Sequence, residues 1–349
     1  MSHIAVLTSG GDSPGMNAAV MSVAKNAAYY GLNLLGIKRG YNGLLGRSEK
    51  QEDDFVRLDL DTVLDIADLP GTHLRTARCL EFLDPQVREK AAQRLRDMDV
   101  TGLVVIGGNG SFQGAMRLCE LGIPCIGIPG TIDNDLPYTE MTLGYDTAVN
   151  VCVDAVRAIR ATSRSHDRPH VVEVMGRDCG DIALSTAAAT GAEIVVVPEV
   201  KWKVDDVAAQ LNDQIARGNT RATVVVAEGC WASMKPFDVY KFLKPYGKQV
   251  FEGEPMTANR FASVLKRKCG MVEARSTVIG YTQRGCSPTA RDSIFAFEAG
   301  AMAVHLLRNG ISNQVIGVKN GRTFYMPIEK ALAEKRRFNK KLYNLINSL

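Results

Sequence analysis

Short, almost wholly apolar runs alternate along this chain with longer segments in which apolar residues recur at helical spacing. The apolar runs predict strands at 3–8 (HIAVLT), 33–38, 102–107 (GLVVIG), 123–128 (IPCIGI), 170–175 (HVVEVM), 194–198 (IVVVP) and 222–227 (ATVVVA). Several lack polar alternation, as strands covered on both faces do. Helical periodicity predicts helices over 15–29, 85–97, 111–121, 144–162, 180–190, 204–217, 257–268, 288–308 and 327–346. Gly31, Gly122, Gly218, Gly270 and Gly310 stand at C-terminal stops, where a left-handed residue closes a helix. Strand and helix in alternation imply a mostly parallel sheet with crossover helices. The stretch 230–256, with Pro236, Pro245, Gly247 and Pro255, reads as a loop-rich insertion.

With 349 residues the chain is long enough for two core-bearing α/β domains. It starts directly in an apolar run, without a basic leader, a cleavage site or a membrane-length apolar stretch, so a soluble cytoplasmic enzyme is expected. The eight cysteines are scattered, with no CxxC pair and no grouping with the five histidines, which argues against structural zinc or a disulfide framework. The net charge of +4 comes from dispersed basic residues, a pattern unlike a nucleic-acid stripe, and anionic small molecules stay open as ligands.

Ligands of open α/β sheets bind beyond the carboxyl ends of the strands, so the segments that follow the strands carry the candidate chemistry. SGGDSPGMNA (9–18) has glycines at P-loop spacing, but Met16 and Asn17 stand where a Walker loop has Lys and Ser/Thr. GGNGS (107–111) is a second glycine-rich strand-to-helix turn. Either one alone is equally a tight turn; together they favour a nucleotide phosphate site at helix N-termini. PGTIDND (129–135) places Asp133 and Asp135 as alternate residues of an extended segment, able to share a cation or to accept a hydroxyl proton in phosphoryl transfer. A turn and helix cap is the plain alternative for DND. Arg168, Arg177, Arg275 and Arg284 fall beside strand ends, and guanidinium forks suit phosphate oxygens.

SGGDSPGMNAA, GGNGS, PGTIDND, SHDR, EVMGRDCGD, AEG and YTQRGCSPTARD, in this order over nearly the whole chain, closely resemble the bacterial-type ATP-dependent 6-phosphofructokinases. The resemblance implies two Rossmann-like three-layer α/β/α domains with largely parallel sheets. An ATP-binding domain would span 1–144 plus about 284–333, and a fructose 6-phosphate domain about 145–283 plus 334–349. It also implies a homotetramer with shared substrate sites and Mg²⁺-dependent transfer from ATP to the 1-hydroxyl of fructose 6-phosphate, with neither nucleic acid nor membrane as partner. Residue by residue, Asp133 is the base, with Thr131 and Asp135 beside it, and Ile132 belongs to the same element. Met175, Gly176 and Arg177 serve the sugar phosphate, Arg177 also facing the developing charge, and Glu228 the sugar hydroxyls. Arg168 and Arg275 match arginines that reach the 6-phosphate from a neighbouring subunit, and Tyr281, Thr282, Gln283 and Arg284 the family's HIQR element. Gly11, Tyr41, Arg78, Cys79, Gly108, Asn109, Gly110 and Ser111 match ATP positions, with Asn109 and Asp135 at the metal. Pyrophosphate-using relatives carry Asp in place of Gly110 and Lys in place of Gly130; the two glycines leave room for the α-phosphate and favour ATP.

The chain departs from the family pattern at several places. Asn109 replaces the Asp of GGDGS, keeping a carbonyl oxygen while losing the charge that attracts a hard dication. Tyr281 replaces the usual His. Met21 and Asn219 occupy places where bacterial relatives have cations for effector phosphates, while Lys25, Arg160 and Glu193 fit that pattern. These departures keep two alternatives in view: a catalytically weakened regulatory homologue, or a kinase for another phosphosugar such as sedoheptulose 7-phosphate.

Overall fold

The computed structural model describes residues 3–46, 54–233, 255–271, 273–336 and 338–348. Most of the loop-rich stretch expected at 230–256 lies outside the described residues. The chain divides into two compact units, Met1–Thr147 with Arg284–Arg336, and Ala148–Gln283 with Arg337–Leu349.

Unit 1 contains β1 (His3–Ser9), α1 (Met16–Tyr29), β2 (Asn33–Ile37), β3 (Phe55–Arg57), α2 (Leu60–Leu64), α3 (Pro85–Asp97), β4 (Val100–Gly107), α4 (Asn109–Glu120) and β5 (Cys125–Pro129). α5 (Tyr145–His166) leads into unit 2, which holds β6 (His170–Val174), α6 (Asp181–Thr190), β7 (Ile194–Val196), α7 (Val204–Ala216), β8 (Thr223–Ala227), α8 (Ala258–Lys268) and β9 (Arg275–Val278). The chain then gives unit 1 α9 (Ala290–Arg308), β10 (Gln314–Lys319), β11 (Arg322–Pro327) and α10 (Ile328–Ala333), and unit 2 receives α11 (Lys340–Asn347).

The unit 1 sheet runs β11-β10-β5-β4-β1-β2-β3. Its five central strands are parallel, and β11 and β3 are antiparallel edges. Because side chains alternate across a strand, β4 sends Val104 and Ile106 to one face and Leu103 and Val105 to the other, and all four are fully buried. The first face packs on α1 and α9 through residues such as Val20, Val23, Ala299 and Ala303. The second packs on α3 and α4 through Ala91, Leu95, Phe112 and Leu118. Burial on both faces is why these strands read as unbroken apolar runs. The unit 2 sheet is all parallel in order β7-β8-β6-β9.

Each predicted strand and helix finds its counterpart, with one correction and five additions. The helix expected at 327–346 is two helices: Glu334 leaves α10 with extended dihedrals (φ −63°, ψ 141°), and Asn339 starts α11 by accepting a hydrogen bond from Leu342 N. The strands β3, β9, β10 and β11 and the short helix α2 lie outside the predicted elements. β9 (RSTV) is a polar edge, and β10 and β11 form a hairpin closed by Asn320 and Gly321 at φ 52° and 70°, the positive pair such a turn requires.

Candidate active site

In unit 1 the chain leaves β1 toward β2 on one side, while β4 and β5 lie on the other, so the sheet switches direction between β1 and β4. Ser9 pairs with Gly107 and Gly107 with Pro129, which brings the loops after β1, β4 and β5 out side by side. α4 starts at Asn109, immediately after Gly108. Ser111 N and Phe112 N already bond to Gly108 O at 3.0 and 3.1 Å. Asn109 and Gly110 are exposed at the positive end of a 12-residue helix, a place for phosphate oxygens. A Cβ on Gly110 would meet nothing within 4 Å, so this side of the loop is open as expected. At Gly130 the expectation of open space fails: a Cβ there would stand 2.8 Å from Met16 Cε, so that glycine allows close packing of the β5 end on α1.

The loop is held from beneath. Ser111 Oγ bonds to Ser9 Oγ at 2.9 Å, and Tyr41 donates its hydroxyl to Ser111 O at 2.6 Å. Tyr41 stacks on Phe82 at 4.2 Å and is 4% exposed; burial raises its phenol well above the usual value and keeps it a donor. Its hydroxyl therefore supports the loop from beneath. Thr76 and Ala77 hydrogen-bond to Gly10, which sets the exposed Arg78 and half-buried Cys79 alongside the first glycine loop and Gly11. Asn17, at the Walker metal position, is buried and bonds to Leu69 O and His73 N, a structural clamp.

The segment 131–135 is a turn and not the extended run expected. Asn134 sits at φ 51° and accepts from Thr142 N at 3.0 Å, while Thr131 Oγ1 accepts from Asp133 N at 3.2 Å. Asn134 thus spends its side chain on the loop, and Ile132 is fully buried and offers a ligand only its backbone. Asp133 is 1% exposed, and its carboxylate lies 4.0 Å from a guanidinium nitrogen of Arg284. Asp135 and Asn109 line one cavity of about 200 Å³. Asp135 Oδ1 is buried without a hydrogen-bond partner, a carboxylate oxygen suited to a hard cation. These residues fit Mg²⁺.

In unit 2, β6 lies between β8 and β9, so 175–177, 228 and 279–283 emerge together. The backbone kinks at Gly176 (φ 136°) and Arg177 (φ 50°), and Glu228 Oε1 accepts from both amides, at 3.3 and 3.0 Å. A Cβ on Gly229 would stand 2.0 Å from Arg177 O, so the two loops touch through backbone. Arg177 is exposed. Gln283 is fully buried: its Oε1 accepts from Met175 N (3.2 Å) and Cys152 Sγ (3.1 Å), and its Nε2 donates to Gly280 O (2.9 Å). It anchors the Met175 loop. Thr282 Oγ1 is likewise donated to Ile279 O, while Tyr281 is 81% exposed.

Arg168 and Arg275 sit at the opposite, amino ends of β6 and β9. Glu273 bridges them, accepting from Arg168 at 2.6 Å and pairing with Arg275. Two of the four arginines therefore lie away from the carboxyl edge where the sheet rule places ligands. Arg160 forks onto Glu193 at 2.9 and 3.1 Å, and Asn219 joins at 3.2 Å, so the charge of Arg160 is already matched.

A doubly wound α/β chain with glycine-rich loops and helix N-termini at its strand ends falls in the broad class of phosphate- and nucleotide-binding enzymes. Residues 3–307 match the phosphofructokinase family model, and the chain belongs to that family. It is 44% identical to ATP-dependent 6-phosphofructokinase 1 of Clostridium perfringens (strain 13 / Type A) and 43% to ATP-dependent 6-phosphofructokinase of Clostridium acetobutylicum, over 100% of this chain and 99% of each relative. Among solved structures it is similar to phosphofructokinase from Saccharomyces cerevisiae, with TM-score 0.80 and 30% identity. That match covers 95% of this chain and spans 45% of the yeast one. Among the described residues no helix is long and apolar enough to cross a membrane.

Proposed function

We propose that this chain is an ATP-dependent 6-phosphofructokinase, transferring the γ-phosphoryl of ATP to the 1-hydroxyl of fructose 6-phosphate in glycolysis. The observation that carries the reading is the buried carboxylate of Asp133, set one strand away from the open N-terminus of α4. A proton acceptor beside an anion site is the arrangement phosphoryl transfer requires. The identity to clostridial enzymes so named supports both ATP as donor and fructose 6-phosphate as acceptor.

In this reading Gly11, Arg78, Cys79 and Gly108–Ser111 hold ATP, and Met175, Gly176, Arg177 and Glu228 hold the sugar phosphate. Asp133 takes the 1-hydroxyl proton as that oxygen bonds to phosphorus, and ADP departs with the former bridging oxygen. Arg177 and Arg78 neutralise the phosphoryl as it moves. Asn109 and Asp135 would hold Mg²⁺, which would supply positive charge to the phosphates. Glu228, fixed on two amides of the 176–177 kink, orients the sugar hydroxyls.

Arg168 and Arg275 lie a full strand length, about 16 Å, from the 175–177 loop. A hexose phosphate held on that loop takes them from a neighbouring copy, which supports the shared sites of a homotetramer; the protein works in the cytoplasm. The test is a coupled assay of the purified chain with fructose 6-phosphate and either ATP or pyrophosphate, with sedoheptulose 7-phosphate as rival acceptor. Activity with pyrophosphate alone, or a higher kcat/KM for the rival, overturns the reading.

A further inference from the structure

The cavity that Asn109 and Asp135 share has a second acidic wall. Glu334 lines it, at the point where the chain leaves α10 in extended conformation, and Arg336 follows at the same rim. The floor is apolar, formed by residues such as Phe112 and Tyr138, whose hydroxyl is donated to Ile316 O at 2.9 Å. Glu334 is exposed and makes no ion pair among the described residues. Besides the Tyr138 phenol, the polar side chains among the lining residues are one neutral amide, two carboxylates and one guanidinium.

We propose that Glu334 supplies the negative charge that Asn109 lacks, making the cation pocket beside the phosphate loop a two-carboxylate site formed by Asp135 and Glu334. The inference rests on the Mg²⁺-dependent kinase reading above. A hard dication in a nucleotide site is held by one or two carboxylates, its own waters and the phosphates. Asp135 alone gives that site one protein charge, and Glu334 restores the second. Because such an ion keeps several waters, a carboxylate on the far wall acts through one of them without direct coordination. The break between α10 and α11 is what turns Glu334 out of a helix and onto this rim.

The experiment is a Mn²⁺ titration of the full chain, saturated with a non-hydrolysable ATP analogue, followed by the electron paramagnetic resonance of the free aquo ion. Wild type, Glu334→Gln, Asn109→Asp and the double variant are compared, with thermal melts to show that each is folded. Glu334→Gln weakens Mn²⁺ binding about tenfold or more in the wild-type background, and loses most of that effect once Asn109→Asp has put a carboxylate on the loop. Unchanged Mn²⁺ affinity in Glu334→Gln overturns the proposal. An equal loss in both backgrounds also overturns it, since Glu334 then acts on something other than the missing charge, such as Arg336. The coupled assay separates this from the parent reading: a wild type that turns over with MgATP keeps that reading whatever Glu334 does.

Discussion

Arg284 reaches Asp133 at 4.0 Å with one guanidinium nitrogen and donates the other to Asp12 O at 2.6 Å. One buried side chain thus ties the turn after β5 to the loop after β1, and it packs so closely on Gly11 that a Cβ there would stand 3.2 Å away. A guanidinium suits this post because its fork serves two acceptors at once. Arg284→Met leaves a part-buried carbonyl and a buried carboxylate without it, and is expected to cost about 1–3 kcal/mol of stability and to lower kcat/KM. Arg284→Lys recovers only part. Urea melts and steady-state kinetics on the two variants check this; an Arg284→Met protein as stable as wild type contradicts it.

Asp133 itself is expected to matter to rate far more than to binding. Asp133→Asn keeps the shape and removes the proton acceptor, so kcat falls by about 10²- to 10⁴-fold while fructose 6-phosphate affinity, measured by calorimetry, stays within a few-fold. Turnover near wild type sinks the base assignment.

The parts of this architecture that show in the sequence are those where one physical demand dominates. Strands β1, β4, β5 and β8 are buried on both faces, so they hold unbroken apolar runs such as Ile4–Leu7 and Leu103–Ile106, and their positions are plain. The glycines of the first two loops mark turns, and Gly107 shows why: a Cβ would stand 2.5 Å from Ser111 Oγ and 2.6 Å from Ser9 O. What stays hidden depends on contacts far apart in the chain. Nothing local tells Gln283, which is interior, from Tyr281, which is exposed. Nothing local shows that Gly130 serves packing, that Arg168 and Arg275 share Glu273, or that Glu334 faces the cavity of Asn109. Edge strands such as β9 and β11 carry too many polar residues for an apolar-run rule to find them.

Gln283 gives a prediction of a different kind, a positioning effect without ligand contact. Gln283→Leu fills the same buried space but leaves Met175 N and Gly280 O unpaired, a cost of about 1–3 kcal/mol for each such group. The 175–177 loop loses its anchor, so KM for fructose 6-phosphate rises more than KM for ATP. Equal changes in the two KM values, or none, count against this role.

His170 supplies a pH dependence. Burial first, then the charges of Arg168 and Arg275, push its imidazole down to about 4, and its Nε2 meets Thr277 Oγ1 at 2.8 Å. The unfolded imidazole titrates near its ordinary value of about 6.5, so between these two values the unfolded chain binds the proton and the folded chain does not. The contribution to stability is complete above pH 6.5 and is lost as pH falls toward 4. His170→Asn is expected to flatten the fall in Tm over that window relative to wild type; parallel Tm curves for the two proteins would show that His170 contributes nothing there.

Gly110 separates stability from donor choice. It is the second residue of α4, exposed, with nothing within 4 Å of a Cβ and no positive φ. Gly110→Asp therefore removes backbone freedom from the unfolded chain and puts an anion at the positive end of a helix, the second favourable by roughly 0.3–1 kcal/mol and the first by less than the Gly-to-Ala gain. The same carboxylate stands where phosphate oxygens are expected, and like charges repel. The variant is thus predicted to melt at or above the wild-type temperature and yet to lose at least tenfold in kcat/KM for ATP, an energy of about 1.4 kcal/mol, with pyrophosphate, which has no α-phosphate to place, penalised less. Differential scanning calorimetry and parallel assays with the two donors decide it. A Gly110→Asp protein that uses ATP as well as wild type does would mean that phosphates do not lie against the N-terminus of α4.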